Sequence, residues 1–326
     1  MKINHKRRVN YLRISITDRC NFNCQYCVPK EPAHHVSHDK VARYEEILTL
    51  VDAAVDIGIT KIRVTGGEPF VRKGVFSFLK RLCLLKELKD ISITTNASLL
   101  NVDKLQRLWN MGIKRLNFSL DTLDRKKFSL ITGKDRFNRV FDTIHAAAKI
   151  GFSPIKINAV ILKGINDDEI VDLASISIEN PFQIRFIEYM PMGNSNIDDD
   201  QQVLTSHLKK VIKANLGPLI PVKRTMNDGP AKKFTLEKSK GEIGFITPIS
   251  EHFCNDCNRL RLTAQGKLRP CLLNDYEKDI LTPLRNGASK EELKTLIQNV
   301  IDGKPLSHNL GLKNNKIISQ MSSIGG

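Results

Sequence analysis

The sequence predicts an α/β protein built from six successive strand–helix units, followed from about residue 190 by a smaller α+β region. Three observations carry that expectation. Short runs of alternating apolar and polar residues recur near 11–17, 60–65, 90–95, 114–120, 154–160 and 182–187, as expected for strands with one buried face. Helical patterns fill the gaps near 44–57, 73–86, 101–111, 136–150 and 167–179. Beyond Met190 this rhythm breaks. Strands that alternate with helices form a parallel sheet, and six regular units favour a barrel or partial barrel, with an open doubly wound sheet as the alternative.

Each strand sorts its side chains by period two. The first places Leu12 and Ile14 opposite Arg13 and Ser15. The second places Ile62 and Val64 opposite Lys61, Arg63 and Thr65, and the third Ile91 and Ile93 opposite Ser92, Thr94 and Asn96. The fourth sets Leu116 and Phe118 against Asn117, Ser119 and Asp121. The fifth sets Ile155 and Ile157 against Lys156 and Asn158, and the sixth Ile184 and Phe186 against Gln183 and Arg185. The apolar face packs on helices, so the polar face turns inward. An ordinary barrel lumen is filled by branched apolar side chains; this one is expected to hold polar, anionic ligands. Gly58, Gly112 and Gly151 each follow a helical run as C-terminal caps. Thr65-Gly66-Gly67-Glu68-Pro69 ends the second strand, where paired glycines let backbone approach a ligand, although a tight turn explains them nearly as well.

The second region opens with the polar stretch 194–200, then a helix near 203–214 and short strands near 219–224, 232–237 and 242–247. The division expected is a barrel over 1–190 and a smaller domain over 191–326. No apolar run approaches the ~20 residues of a membrane span, and the basic start lacks the apolar core of a secretion signal. A cytoplasmic protein is expected, in which seven cysteines argue for metal or redox chemistry rather than disulfides. Lys and Arg outnumber Asp and Glu by 51 to 35, and that surplus attracts polyanions.

Six of the cysteines form two triplets, leaving Cys83 on an apolar helix pattern. Cys20, Cys24 and Cys27 are spaced C-x3-C-x2-C directly after the first strand. Cys254, Cys257 and Cys271 are spaced C-x2-C-x13-C, with a hairpin between the last two. Thiolates this close converge on a soft metal. Structural zinc takes four protein ligands, whereas a [4Fe–4S] cube on three cysteines leaves one iron open; zinc stays as the alternative on spacing alone. Arg259 and Arg261, two apart beside the second triplet, suit bidentate phosphate bonds.

The first triplet, the aromatic Tyr26 before its third cysteine and the Gly66-Gly67-Glu68 turn together resemble the radical S-adenosylmethionine (SAM) enzymes. With the second triplet, Thr94-Thr95-Asn96, Asn117-Phe118-Ser119-Leu120-Asp121, Gly229-Pro230-Ala231, 244–250 and the terminal Gly325-Gly326, the chain resembles the GTP 3′,8-cyclase family of molybdenum-cofactor biosynthesis. Ala97 departs from the family's usual glycine. The resemblance implies an incomplete (βα)6 TIM-type barrel whose C-terminal domain carries a second cluster, hence two [4Fe–4S] clusters and SAM. It implies SAM contacts at Tyr26, Gly67, Ser119 and Met190. GTP would be held by Arg13, Lys61, Arg63, Thr94, Lys156, Arg259 and Arg261, with Gly325 and Gly326 acting in catalysis. A flavodoxin-type reductant, cyclic pyranopterin monophosphate synthase as the successor enzyme and a homodimer are also implied. No nucleic-acid or membrane partner is expected. The rivals are a radical SAM peptide maturase, whose auxiliary domain usually carries more cysteines, and an RNA-binding metal protein, for which only 6% aromatic residues offer no stacking platform.

Overall fold

The computed structural model describes residues 7–27, 35–193, 197–223, 229–308 and 317–325. The six predicted strands form as β1 (Tyr11–Ser15), β2 (Lys61–Thr65), β3 (Asp90–Thr95), β4 (Arg115–Ser119), β5 (Ile155–Ile161) and β6 (Phe182–Glu188). They pair in parallel in chain order. Their apolar faces, with Leu12, Ile62, Ile93, Leu116, Ile157 and Ile184 fully buried, join one core. The covering helices are α1 (Tyr44–Asp56), α2 (Val75–Leu82), α3 (Val102–Asn110), α4 (Arg125–Thr132), α5 (Phe137–Ile150) and α6 (Ile170–Glu179). Arg13 on β1 and Arg185 on β6 line the same cavity, so the sheet curls into a partial barrel.

The helix α4 was not expected. Its first turn, Arg125-Lys126-Lys127, carries no apolar stripe, but Asp124 caps it by accepting from the Lys126 and Lys127 N–H groups. Gly133, at φ +68°, ends it. Its last carbonyls are used by the first cysteine loop: Asn23 N–H donates to Thr132 O at 2.9 Å and Gln25 N–H to Ile131 O at 3.0 Å. Phe22 packs edge-on against Phe128 beneath that loop. A helix missing from the sequence reading is therefore the shelf on which Cys20, Cys24 and Cys27 rest.

The remaining elements are α7 (Thr205–Leu216), β7 (Ile220–Pro221), β8 (Lys232–Thr235), β9 (Glu242–Ile246), β10 (Arg259–Leu262), β11 (Lys267–Arg269), β12 (Lys278–Asp279), α8 (Leu281–Arg285), α9 (Lys290–Asp302) and α10 (Met321–Ile324). They do not make a separate sheet. β10 pairs in parallel with β1 and β9 with β6, giving one twelve-stranded sheet in the order β12-β11-β10-β1-β2-β3-β4-β5-β6-β9-β8-β7. Both edges of the barrel sheet are closed by later chain. Glu188, at the end of β6, fixes one junction: its buried carboxylate accepts from the N–H groups of Thr205, Ile249 and Ser250. No helix among the described residues is long and apolar enough to cross a membrane.

Candidate active site

Both cysteine triplets open into one cavity at the C-terminal ends of the strands. In the first, Cys27 N–H turns back onto Cys24 O at 2.9 Å. The three thiols sit close together: Cys24 feels the charges of Cys27 and Cys20, and Cys27 that of Cys20. Burial pushes Cys20 up to about 11 and also raises Cys24 and Cys27, so a cation is needed to hold these sulfurs as thiolates. Phe22 N–H and Asn96 Nδ2 both point at Cys20 Sγ, the donors a ligating thiolate accepts. Beside them, a Cβ on Gly67 would lie 2.4 Å from Arg19 O, and one on Gly66 2.8 Å from Thr17 O. Only glycine fits this turn. The donor set and the bare backbone suit an iron–sulfur cluster carrying a small polar ligand.

Tyr26 is held by its hydroxyl, which donates to Asp121 Oδ2 at 2.6 Å, while Asp121 Oδ1 accepts from Val160 N–H at 2.8 Å. Burial lifts the Asp121 carboxyl to about 6. Asp121, Asn158 and Arg185, which strand alternation puts on the inward face and to which the motifs assign no ligand, also line the cavity. Ser119, Met190 and Gly67 line it too. Thr94 Oγ1 and Asn158 Oδ1 are buried in this wall with no hydrogen-bond partner among the described residues, which marks the wall as built for a polar guest.

The second triplet is set in opposite surroundings. Cys257 N–H donates to Cys254 O at 3.1 Å, and Cys254 feels the charges of both Cys271 and Cys257. Burial works to raise Cys257, but Arg259 and Lys304 outweigh it and hold the thiol at about 6. His252, Cys254 and His308 also approach as a possible metal-binding group. However, the two imidazoles already share a hydrogen bond at 2.7 Å, and His308 Nε2 is 2.8 Å from Pro248 O. Ligation through that nitrogen would break both contacts.

Sheet register assembles the cationic wall. Arg269 on β11 faces Arg261 on β10, Arg261 faces Arg13 on β1, and Arg13 faces Arg63 on β2. Like charges directly opposite are destabilising. Arg269 is neutralised by Glu277 at 2.7 Å and Asp275 at 3.3 Å. For Arg13, burial and then Arg261 and Arg63 depress the guanidinium's pKa, and for Arg261 burial and then Arg259 bring it down to about 9. Stacking of Arg63 on Tyr11 and of Arg259 on Phe253 offsets part of the repulsion. A bound polyanion would offset the rest.

The seven residues expected to hold GTP divide into two groups. Arg13, Arg63, Thr94, Arg259 and Arg261 line the shared cavity. Lys61 and Lys156 do not: they sit near the starts of β2 and β5, and Lys156 lines a second cavity at that end with Gln183 and Lys233. Gly325, at φ +73°, lies inside the barrel mouth, where a Cβ would come 2.2 Å from Thr65 Oγ1 and 3.1 Å from Ser15 Cβ. Arg261 donates to Gly325 O at 2.6 Å. Gly326 lies outside the described residues. Cys83 is half-buried against the core, far in the chain from either triplet.

Comparison with known proteins settles the family. Residues 14–176 match the radical SAM superfamily, and residues 182–310 match the molybdenum cofactor synthesis C-terminal family. The GTP 3′,8-cyclase of Thermodesulfovibrio yellowstonii is 46% identical over 327 residues, covering all of both chains. That of Pelotomaculum thermopropionicum is 43% identical over the same span. This chain belongs to the GTP 3′,8-cyclase family. Among solved structures, Streptococcus suis SuiB bound to S-adenosylmethionine matches 89% of this chain and 69% of its own, with a TM-score of 0.60 at 18% identity. That likeness concerns the fold, and it supports the radical SAM partial barrel.

Proposed function

We propose a division of labour within the shared cavity for the family's reaction. This is the radical SAM cyclisation of GTP to (8S)-3′,8-cyclo-7,8-dihydroguanosine 5′-triphosphate, the first step of molybdenum-cofactor biosynthesis. Cys20, Cys24 and Cys27 hold the [4Fe–4S] cluster of the radical SAM domain, and Cys254, Cys257 and Cys271 hold a second. When bound, the first cluster and SAM supply the radical chemistry, and the protein supplies binding and orientation. Tyr26, fixed by Asp121, presents its ring to the SAM adenine. The bare backbone of Gly67, with Ser119 and Met190, orients the rest of SAM.

The observation that carries the substrate assignment is the Arg261–Arg13–Arg63 ladder in a wall shared with both triplets. Arg13, Arg63, Arg259 and Arg261 bind the triphosphate, and Thr94 offers its hydroxyl. Lys61 lies two residues before Arg63 on the same face, about 7 Å further down the lumen. Lys61 and Lys156 therefore attract phosphates that reach toward the N-terminal end. Gly325 closes the mouth over the reacting sugar and excludes water, and Gly326 shares its part in catalysis. Residues 1–190 form the SAM-binding part and 191–326 the auxiliary-cluster part. The protein works as a cytoplasmic homodimer reduced by a flavodoxin-type donor and passes its product to cyclic pyranopterin monophosphate synthase.

Charge-assisted phosphate bonds are each worth roughly 1.5–3 kcal/mol. Arg259→Ala or Arg261→Ala should weaken GTP binding by about tenfold or more and leave SAM binding little changed. Unaltered nucleotide affinity in both variants would overturn the substrate assignment.

A further inference from the structure

The segment Lys304-Pro305-Leu306-Ser307-His308, just after α9, touches the chain around every cysteine of the second triplet. Lys304 is only 5% exposed, and no carboxylate pairs with it among the described residues. Its ammonium donates to Arg259 O at 2.9 Å and to Pro270 O, the carbonyls two residues after Cys257 and one before Cys271. Its positive charge lies close enough to act on all three cysteines of the triplet. The His308 N–H reaches the Cys254 sulfur. Arg7 completes the arrangement from the other end of the chain: its guanidinium donates to Cys254 O at 2.6 Å and to Pro305 O at 2.8 Å.

A buried ammonium without a carboxylate is costly. Here two carbonyls beside the triplet, and the negative charge its sulfurs can carry, take the place of a counter-ion. β10 and β11 pair at Arg261–Arg269, and Lys304 extends that pairing by tying the Arg259 and Pro270 carbonyls, on the cysteine side of it, to one ammonium. By contrast, the first triplet faces Asp121 and Glu68. The two centres thus sit in fields of opposite sign within one cavity.

We infer that Lys304 is a positioning residue of the second centre: it locks the Cys257 and Cys271 strands together and keeps a fixed positive charge against the sulfurs. The inference rests on the reading that Cys254, Cys257 and Cys271 hold a [4Fe–4S] cluster. A nearby cation favours the more reduced, more negative form of a cluster, and hydrogen bonds to its sulfurs act in the same direction.

The test uses the full chain reconstituted anaerobically in a background with Cys20, Cys24 and Cys27 replaced by Ala, so that only the second centre remains. Iron, sulfide and reduction midpoint are measured with Lys304 intact and in Lys304→Met, Lys304→Gln and Lys304→Arg. The intact background should hold about four irons per chain. Lys304→Met should lose most of that iron. Lys304→Gln keeps donors for the two carbonyls without the charge, and the cluster it retains should be reduced only at a more negative potential. Lys304→Arg should keep both iron and potential close to the parent. Full iron at an unchanged midpoint in both Lys304→Met and Lys304→Gln would overturn the inference alone. Absence of iron from the intact background, with a folded chain by circular dichroism, would overturn it together with the two-cluster reading.

Discussion

Gly67→Ala is expected to dismantle the first cysteine loop from beneath. The added Cβ would stand 2.4 Å from Arg19 O, 2.6 Å from Arg19 C and 3.0 Å from Asp18 O. Ordinary contact begins near 3.4 Å, so the Arg19 backbone must retreat by about 1 Å. Backbone cannot rotate aside as a side chain can. The retreat stretches two hydrogen bonds, Gly67 N–H to Thr17 O at 2.8 Å and Glu68 N–H to Arg19 O at 2.9 Å. Overpacking costs roughly 1–3 kcal/mol and each of the two weakened bonds about 0.5–1.5 kcal/mol, for a total of about 2–6 kcal/mol. Cys20 is the next residue, so the displacement falls on a residue proposed to hold the first cluster. Gly112→Ala is the control: its φ is +93° but no heavy atom lies within 4 Å, so it pays about 1–2 kcal/mol of left-handed strain far from the cavity. Thermal unfolding, iron content and SAM binding of the two variants should separate cleanly. Gly67→Ala should lose about half the iron and nearly all SAM affinity, whereas Gly112→Ala should be less stable yet fully loaded. A Gly67→Ala protein with full iron, normal SAM affinity and stability no lower than the control would refute the steric argument.

Three further outcomes are expected. Asp275 accepts from Ile318 N–H, Ser319 N–H and Ser319 Oγ while pairing with Arg269. Asp275→Ala should therefore speed amide exchange over residues 318–324 by about tenfold or more with little change in melting temperature; unchanged exchange would mean that the tail is held by its apolar contacts. Deleting Gly325 and Gly326 should leave iron content and GTP affinity nearly intact but cut cyclised product steeply, as loss of orientation costs rate rather than binding; the check is product and 5′-deoxyadenosine measured side by side. Burial raises the Glu68 carboxyl from 4.5 to about 7, against the hydrogen bonds from Asn96, Phe70 and Thr95 that favour its charged form. Between those values the folded chain holds more protons than the unfolded one, so this contribution to stability falls as pH rises from about 4.5 to about 7 and is flat above. The stability of the parent relative to Glu68→Gln, by urea unfolding of the metal-free chains, should be greater at pH 5 than at pH 8; a difference that is constant or grows with pH would contradict the burial argument.

The strands were legible because period-two alternation is a local property. β1 to β6 begin and end within two residues of the runs that predict them. The same alternation placed Arg13, Arg63, Ser119 and Asn158 in the lumen. It carried no information on depth: Lys61 and Arg63 share a face, yet only Arg63 reaches the shared cavity. The arginine ladder was equally hidden, as Arg13 and Arg261 become neighbours only through the pairing of β1 with a strand some 250 residues later. α4 was missed because its signal lies in its ends, Asp124 and Gly133, rather than in an apolar stripe. Glu188 gave no warning at all. A single acidic residue closing a strand becomes a hub only once three distant N–H groups converge on it. Ala97, which departs from the family's usual glycine, takes a φ of +66° in a fully buried turn, so the family's preference there has a conformational cause.

The order of the twelve strands also bears on how the chain is made. When β6 leaves the ribosome, the six-stranded sheet is complete in sequence but open along both β1 and β6. Such edges are templates for pairing with other chains. One stays open until Glu242–Ile246 follows, and the other until Arg259–Leu262 follows. The strand that closes the β1 edge begins two residues after Cys257 and supplies Arg259 and Arg261. The cavity shared by the two cysteine triplets is therefore finished by the same event that seals the sheet. A chain released early, or a gene split near residue 190, would yield an adhesive half-product carrying only the first cysteine triplet, with no wall to shield whatever chemistry that triplet began.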